Sequence, residues 1–168
     1  EACKSLGLDM ILAIVRDVDK LTAELTEIDE NLLRNDLTAL EEGEHLLRRE
    51  ELLEEMGQRA KRGDNRYTDR RAKSACLKTT GEMAKEIGLS KRTAQERKQV
   101  ARDLAPEVKD MIRDTPLADE KTELLRLSRL ETKTQKQVSE KIRSGEAKKI
   151  KDGERLVKRE KMVTDGKA

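Results

Sequence analysis

With no Trp, no Phe and a single Tyr in 168 residues, this chain lacks the side chains that fill most β-sandwiches and barrels. Leu, Lys, Arg and Glu are abundant instead, and these are strong helix formers. Charged residues make up 43% of the chain and hydrophobic ones 35%, so the core is thin for the length. It has to come from Leu and Ile packed between amphipathic helices. The expected fold is mostly α: an extended, multi-helix molecule with a modest stability margin, some of whose segments order only with a partner. An all-β fold is excluded.

The longest apolar run, residues 10–15, is too short to span a membrane, and no basic, apolar, small-residue leader opens the chain. Cys3 and Cys76 have no CxxC partner and His45 is the one histidine, so neither a disulfide framework nor a zinc site is supported. A soluble protein of the reducing cytoplasm, with no membrane partner, is expected. The chain opens on Glu1 rather than Met, inside what reads as a helix, so its start looks cut.

Charge is distributed unevenly. Residues 1–58 carry 6 Lys/Arg and 16 Asp/Glu, a net of −10; residues 59–102 carry 14 and 5, a net of +9; residues 103–168 carry 17 and 14, a net of +3. A basic block with one aromatic beside it suits phosphate contact on a duplex, where counterion release drives affinity, better than base stacking on single strands. Double-stranded DNA is therefore the expected partner, the plainer alternative being a solvated surface.

The first segment reads as helix, strand, helix. A helix runs to a Gly7 cap, residues 10–18 (MILAIVRDV) form an apolar, β-branched run between Asp9 and Asp19, and Leu21, Leu25, Ile28 and Leu32 share one helical face. One strand makes no stable sheet, so this segment reads as the tail of an α/β domain whose other strands are missing. Thr38 with Glu41 is a capping box that opens a helix with the stripe Leu40, Leu47, Leu53 and Met56, stopped by Gly57. It is expected to be long, exposed and acidic. Residues 58–77 lose all periodicity, with Gly63, Asp64 and Asn65 as turn formers among many Arg, and read as a mobile basic loop.

Residues 79–102 hold the strongest local pattern. Thr79 or Thr80 caps a short helix with Met83, Ala84 and Ile87, Gly88 and Leu89 make a turn, and Ser90 caps a second helix. Ala84, Gly88, Leu89 and Ala94 have the spacing of a helix-turn-helix: a small residue where helices touch, a glycine for positive φ, an apolar plug. The second helix then directs Lys91, Arg92, Gln95 and Glu96 outward at the end that reaches base edges, where Arg suits guanine and Gln suits adenine. Thr80, Ser90, Thr93, Lys98 and Gln99 complete the candidate DNA-binding set on these helices, and Arg70, Arg71 and Lys73 in the loop are candidate phosphate contacts. Arg97 stands where an apolar residue is common; its stem packs and its head snorkels in this reading.

Pro106 fits the first turn of a helix with Val108, Met111 and Ile112, which Pro116 ends. Leu124, Leu125, Leu127 and Leu130 mark the next helix, and Val138 and Ile142, stopped by Gly145, another. The stretch 146–168 reads as a weak helix that frays, or as a partner-binding tail. Catalytic constellations are poor: one histidine allows no Ser/His/Asp set, and no Walker-type loop, HExxH or paired Cys occurs. An enzyme is not expected.

Residues 7–17 (Gly7, Leu8, Ile14, Val15, Arg16, Asp17) followed by residues 28–38 (IDENLLRNDLT) resemble the second half of the ParB amino-terminal domain, and residues 79–102 fall where that family has its helix-turn-helix. The resemblance covers roughly residues 1–131, and residues 104–130, with Asp114-Thr115-Pro116-Leu117-Ala118-Asp119, are similar to ParB-like proteins of prophages and plasmids. It implies a partial amino-terminal domain over 1–37, a linker helix over 38–57, a basic loop over 58–78, a helix-turn-helix domain over 79–131 and carboxy-terminal helices over 132–168. It further implies nucleoid-associated work in partition or transcription regulation, with a second copy or a partition ATPase as partners. By the same resemblance Glu30 and Asn31 would contact magnesium and the triphosphate of CTP, Glu30 as the metal ligand, with Arg34 a phosphate neighbour. The family's glycine- and arginine-containing phosphate box has no counterpart because it would precede Glu1, so CTP and Mg²⁺ are expected only with residues upstream. Two other classes stay open: a helical adaptor that binds a protein through the acidic helix 38–56, and a residual CTP-dependent switch.

Overall fold

The computed structural model describes residues 5–7, 10, 12–15, 17–34, 36–58 and 79–165. Eight α-helices and no strand occur among them: α1 (Lys20–Leu33), α2 (Ala39–Glu55), α3 (Thr80–Glu86), α4 (Lys91–Asp103), α5 (Pro106–Ile112), α6 (Lys121–Ser128), α7 (Thr132–Arg143) and α8 (Ile150–Asp165). A 3₁₀ turn, Pro116–Asp119, separates α5 from α6. The mostly α architecture expected from composition is the one the chain adopts. The strand expected over residues 10–18 is not formed among the described residues: Met10, residues 12–15 and residues 17–19 take no regular structure, and Leu12, Ile14 and Val15 are exposed. A β-branched run becomes a strand only when a neighbour completes its ladder, and every neighbour described here is a helix.

Local chemistry sets the helix boundaries. Thr38 caps α2 and Thr79 caps α3 by the same reciprocal box, in which the N3 glutamate, Glu41 or Glu82, accepts from the cap backbone N–H at 2.9 or 2.7 Å. Pro106 occupies the first turn of α5, where its missing N–H costs nothing. Between α3 and α4, Gly88 takes φ +74°, a left-handed conformation that a side chain would strain. That turn lets the Leu89 N–H donate to the Ala84 carbonyl at 2.8 Å.

Two apolar clusters share α2 and α4. One joins Leu40 and Val100 to Leu104, Val108, Ile112, Leu124, Leu127, Val138 and Ile150; the other joins Leu46, Leu52 and Ala94 to Ile28, Leu32 and Ala84. The acidic helix expected to be exposed is therefore interior, with Leu40 and Leu52 fully buried and Leu53 nearly so. Each such leucine contributes about 2 kcal/mol of transfer free energy, which outweighs the polar reading of its glutamates. The carboxy-terminal stretch expected to fray is instead α8, docked on α7 and α6 through Ile150 and Val157, with Gly153 close against Val138.

Close approach at two mid-helix glycines gives a ranked prediction. A Cβ on Gly43 would lie 2.5 Å from the backbone carbonyl oxygen of Arg97, whereas one on Gly153 would meet Val138 Cγ1 at 2.9 Å. Alanine gains about 1 kcal/mol of helix propensity at either site. Backbone cannot rotate aside, so Gly43→Ala is a net loss of up to about 2 kcal/mol after an overpacking cost of about 1–3 kcal/mol. Gly153→Ala meets the stiff side chain of the fully buried Val138, so it costs less than Gly43→Ala without becoming stabilising. Thermal melts of the two variants check the order; equal melting points would show that α2 and α4 are not this close.

Candidate nucleic-acid interface

Helices α3 and α4 form the helix-turn-helix read from the spacing, with Ala84 and Ala94 both buried at their contact. Ser90 Oγ accepts from the Thr93 N–H at 3.0 Å and so caps α4, and the Thr93 hydroxyl 2.8 Å away holds the cap in place. Thr80 is the first residue of α3 and half-buried. The first turns of the two helices lie side by side, since a Cβ on Gly81 would sit 3.7 Å from the stem of Lys91.

At about 100° per residue, positions 91, 92, 95, 99 and 102 of α4 fall within an arc of about 100°. Lys91, Arg92, Gln95 and Arg102 are exposed there and Gln99 is half-buried. Lys85 is exposed at the end of α3. The opposite arc, with Ala94, Val100 and Ala101, is buried against α2 and α6. No acid occurs in the first turn of α4, where Lys91 and Arg92 stand at the positive end of the helix dipole.

Two expected contacts are placed otherwise. Lys98 is 8% exposed and its Nζ donates to Glu50 Oε1 of α2 at 2.8 Å. It lies one turn after Ala94, at the edge of the inward arc, and serves as a core ion pair rather than an outer contact. Glu96 is held from two sides, by Arg92 Nε at 2.9 Å and by Lys121 Nζ at 2.5 Å. These cations keep its carboxyl below the usual carboxylate range, Lys121 foremost. Arg70, Arg71 and Lys73 lie outside the described residues.

Much of the acidity of α2 is spent on cations of α4 and α5. Besides Glu50 with Lys98, Glu42 pairs with Arg97, and Glu44 pairs with Arg113 at 3.0 Å and Lys109 at 3.5 Å. The Arg97 stem packs as expected, but its head does not reach water: it is largely buried and meets the Glu42 carboxylate. Arg49, 2% exposed, donates from Nε to Asp29 of α1 at 2.6 Å and from Nη2 to Glu86 of α3 at 2.8 Å. It fixes the first helix of the motif to α1. His45 is half-buried on α2.

Glu30, Asn31 and Arg34 gather at the carboxy-terminal end of α1, where the Arg34 backbone N–H donates to the carbonyls of Glu30 and Asn31. Glu30 and Arg34 are exposed and Asn31 half-buried. Arg34 borders a cleft of about 430 Å³ with Leu37, Glu42, Gly88, Leu89 and Arg97. A helix end that presents carbonyl oxygens has the wrong polarity for a triphosphate, so the residues present do not by themselves fit magnesium-bound CTP. Among the described residues no helix is long and apolar enough to cross a membrane. No protein-family model matches the chain, and neither does any curated protein or solved structure.

Proposed function

We propose that this chain is a double-stranded DNA-binding protein of the ParB-like kind, which docks α4 in the major groove and acts in plasmid, phage or chromosome partition or in transcription regulation. The observation that carries the reading is the first turn of α4. Lys91 and Arg92 stand exposed at the positive end of a helix dipole with no acid in that first turn, the carboxylate of Glu96 reaching Arg92 only from the next turn, an arrangement that the dipole disfavours. Charges set against local stability mark a functional surface, and DNA phosphate supplies the anion that the first turn lacks. The exposed Gln95 one turn on, and Arg102 at the far end of the same arc, extend that surface along the groove.

Base reading is separable from positioning. Arg92→Ala or Gln95→Ala is expected to cost about 1–3 kcal/mol on a preferred site and little on random duplex. Titration of both duplexes at one salt concentration, with circular dichroism to verify folding, gives the answer. An unchanged ratio of specific to random binding removes α4 as the reader.

A further inference from the structure

The guanidinium of Arg92 is held by a chain of charges that begins on another helix. Its Nε–H donates to Glu96 Oε1 at 2.9 Å, and Glu96 Oε2 lies 2.5 Å from Nζ of Lys121, the first residue of α6. An exposed i,i+4 pair with the base preceding the acid is the weaker orientation and restrains neither partner firmly. Lys121 alters that balance. It engages the second oxygen of a carboxylate that is already only 21% exposed, so Glu96 is tethered to two helices at once. Lys121 itself occupies the positive end of the α6 dipole, where a cation is disfavoured. The stability of α6 does not account for a lysine there; the pair with Glu96 does.

With Nε committed to Glu96, the Nη1 and Nη2 edge of the guanidinium remains, on a side chain that is 88% exposed. Two parallel donors at that edge match the N7 and O6 acceptors of guanine in the major groove. Resting on the reading of α4 as the recognition helix, we infer that Lys121 is a positioning residue for base recognition. It holds Glu96, Glu96 holds Arg92 by Nε, and Arg92 reads guanine through its two terminal nitrogens. Glu96 then works on the protein side of the interface rather than on a base, and one base-pair preference is set by a helix outside the motif.

Selection from a duplex pool with a randomised centre yields the preferred site and the position at which Arg92→Ala abolishes a guanine preference. At that position Lys121→Met lowers the preference for guanine over the other bases by about three- to tenfold, and Lys121→Arg restores most of it. Glu96→Gln, which leaves α6 untouched, produces the same loss, and the double variant loses no more than either single one because the residues act in series. In the DNA-free protein, the Nε–H resonance of Arg92 exchanges slowly with water and becomes fast in Lys121→Met. A Lys121→Met variant that weakens all duplexes alike overturns the inference and makes Lys121 a phosphate contact. Unchanged base preference together with an unchanged Nε–H resonance overturns it as well. If Arg92→Ala leaves every base preference intact while the parent selects a site, the reading of α4 itself falls; a slow Nε–H resonance lost in Lys121→Met then places the error there and not in the clamp.

Discussion

Glu50→Ala is expected to destabilise the fold by about 3–5 kcal/mol, because it strands the Lys98 ammonium in the interior between α2 and α4. Side-chain exposures of 10% for Lys98 and 5% for Glu50 leave little water to solvate the remaining charge. For a chain of this size the loss lowers the melting temperature by on the order of 10 °C and removes a large part of a total stability of about 5–15 kcal/mol. Replacing both residues with apolar ones of similar volume, Glu50→Leu with Lys98→Met, is expected to recover most of it, since a buried pair roughly balances its own desolvation. Thermal and urea denaturation of the three proteins test the contrast. A Glu50→Ala melt within about 2 °C of the parent would mean that water reaches this pair and that α2 and α4 pack loosely around it.

The part of the fold that local chemistry dictates is legible in the residues. Thr38 with Glu41, Thr79 with Glu82, Ser90, Pro106 and Gly88 each act within a few positions of themselves, and each stands at the helix boundary that its chemistry implies. Residues 10–18 depart from expectation for the complementary reason: a strand needs a non-local partner, which a propensity cannot supply. The burial of α2 is hidden because its apolar stripe reads through Leu47 and Met56, while the buried positions include Leu46 and Leu52. Arg49 and Glu50, polar by composition, sit inside because their partners arrive from α1, α3 and α4. A charged residue reads as solvated until the helix carrying its counterion is placed against it.

The candidate site divides along the same line. Arg92 and Gln95 point outward because a 3.6-residue period fixes their side of α4 once Ala94 is known to face inward. Lys98 falls at the edge of the two arcs, where periodicity does not decide and Glu50 does. Lys121 carries no sequence signal at all, since nothing in a lysine after two acids announces contact with Glu96 on another helix. Glu42 and Gly43 form one device that a linear reading separates: the glycine brings the backbones of α2 and α4 together, and the glutamate then reaches Arg97.

Binding to duplex DNA is expected to weaken by about 40-fold between 50 and 200 mM salt, the effect of roughly three phosphate contacts, each contributing about −0.9 to the slope of log K against log salt. Lys85, Lys91 and Arg102 are the exposed cations on and beside the outer arc of α4 that are left for phosphate, Arg92 being held by Glu96 and directed at a base. Arg97 and Lys98 do not contribute, because each is paired with a carboxylate of α2. The surplus of nine positive charges over residues 59–102 thus overstates what faces a duplex from the helices alone. Arg70, Arg71 and Lys73 would neutralise phosphates of their own, so Arg70→Ala with Arg71→Ala flattens the slope by about one unit for each phosphate no longer neutralised and weakens preferred and random duplexes equally. Arg92→Ala, by contrast, changes the ratio between those duplexes more than it changes the slope. Fluorescence anisotropy across a salt series measures both quantities on the same samples. A flat slope, or no binding at 50 mM, would leave Lys91 and Arg92 as ordinary solvated charges and remove DNA as the partner of α4.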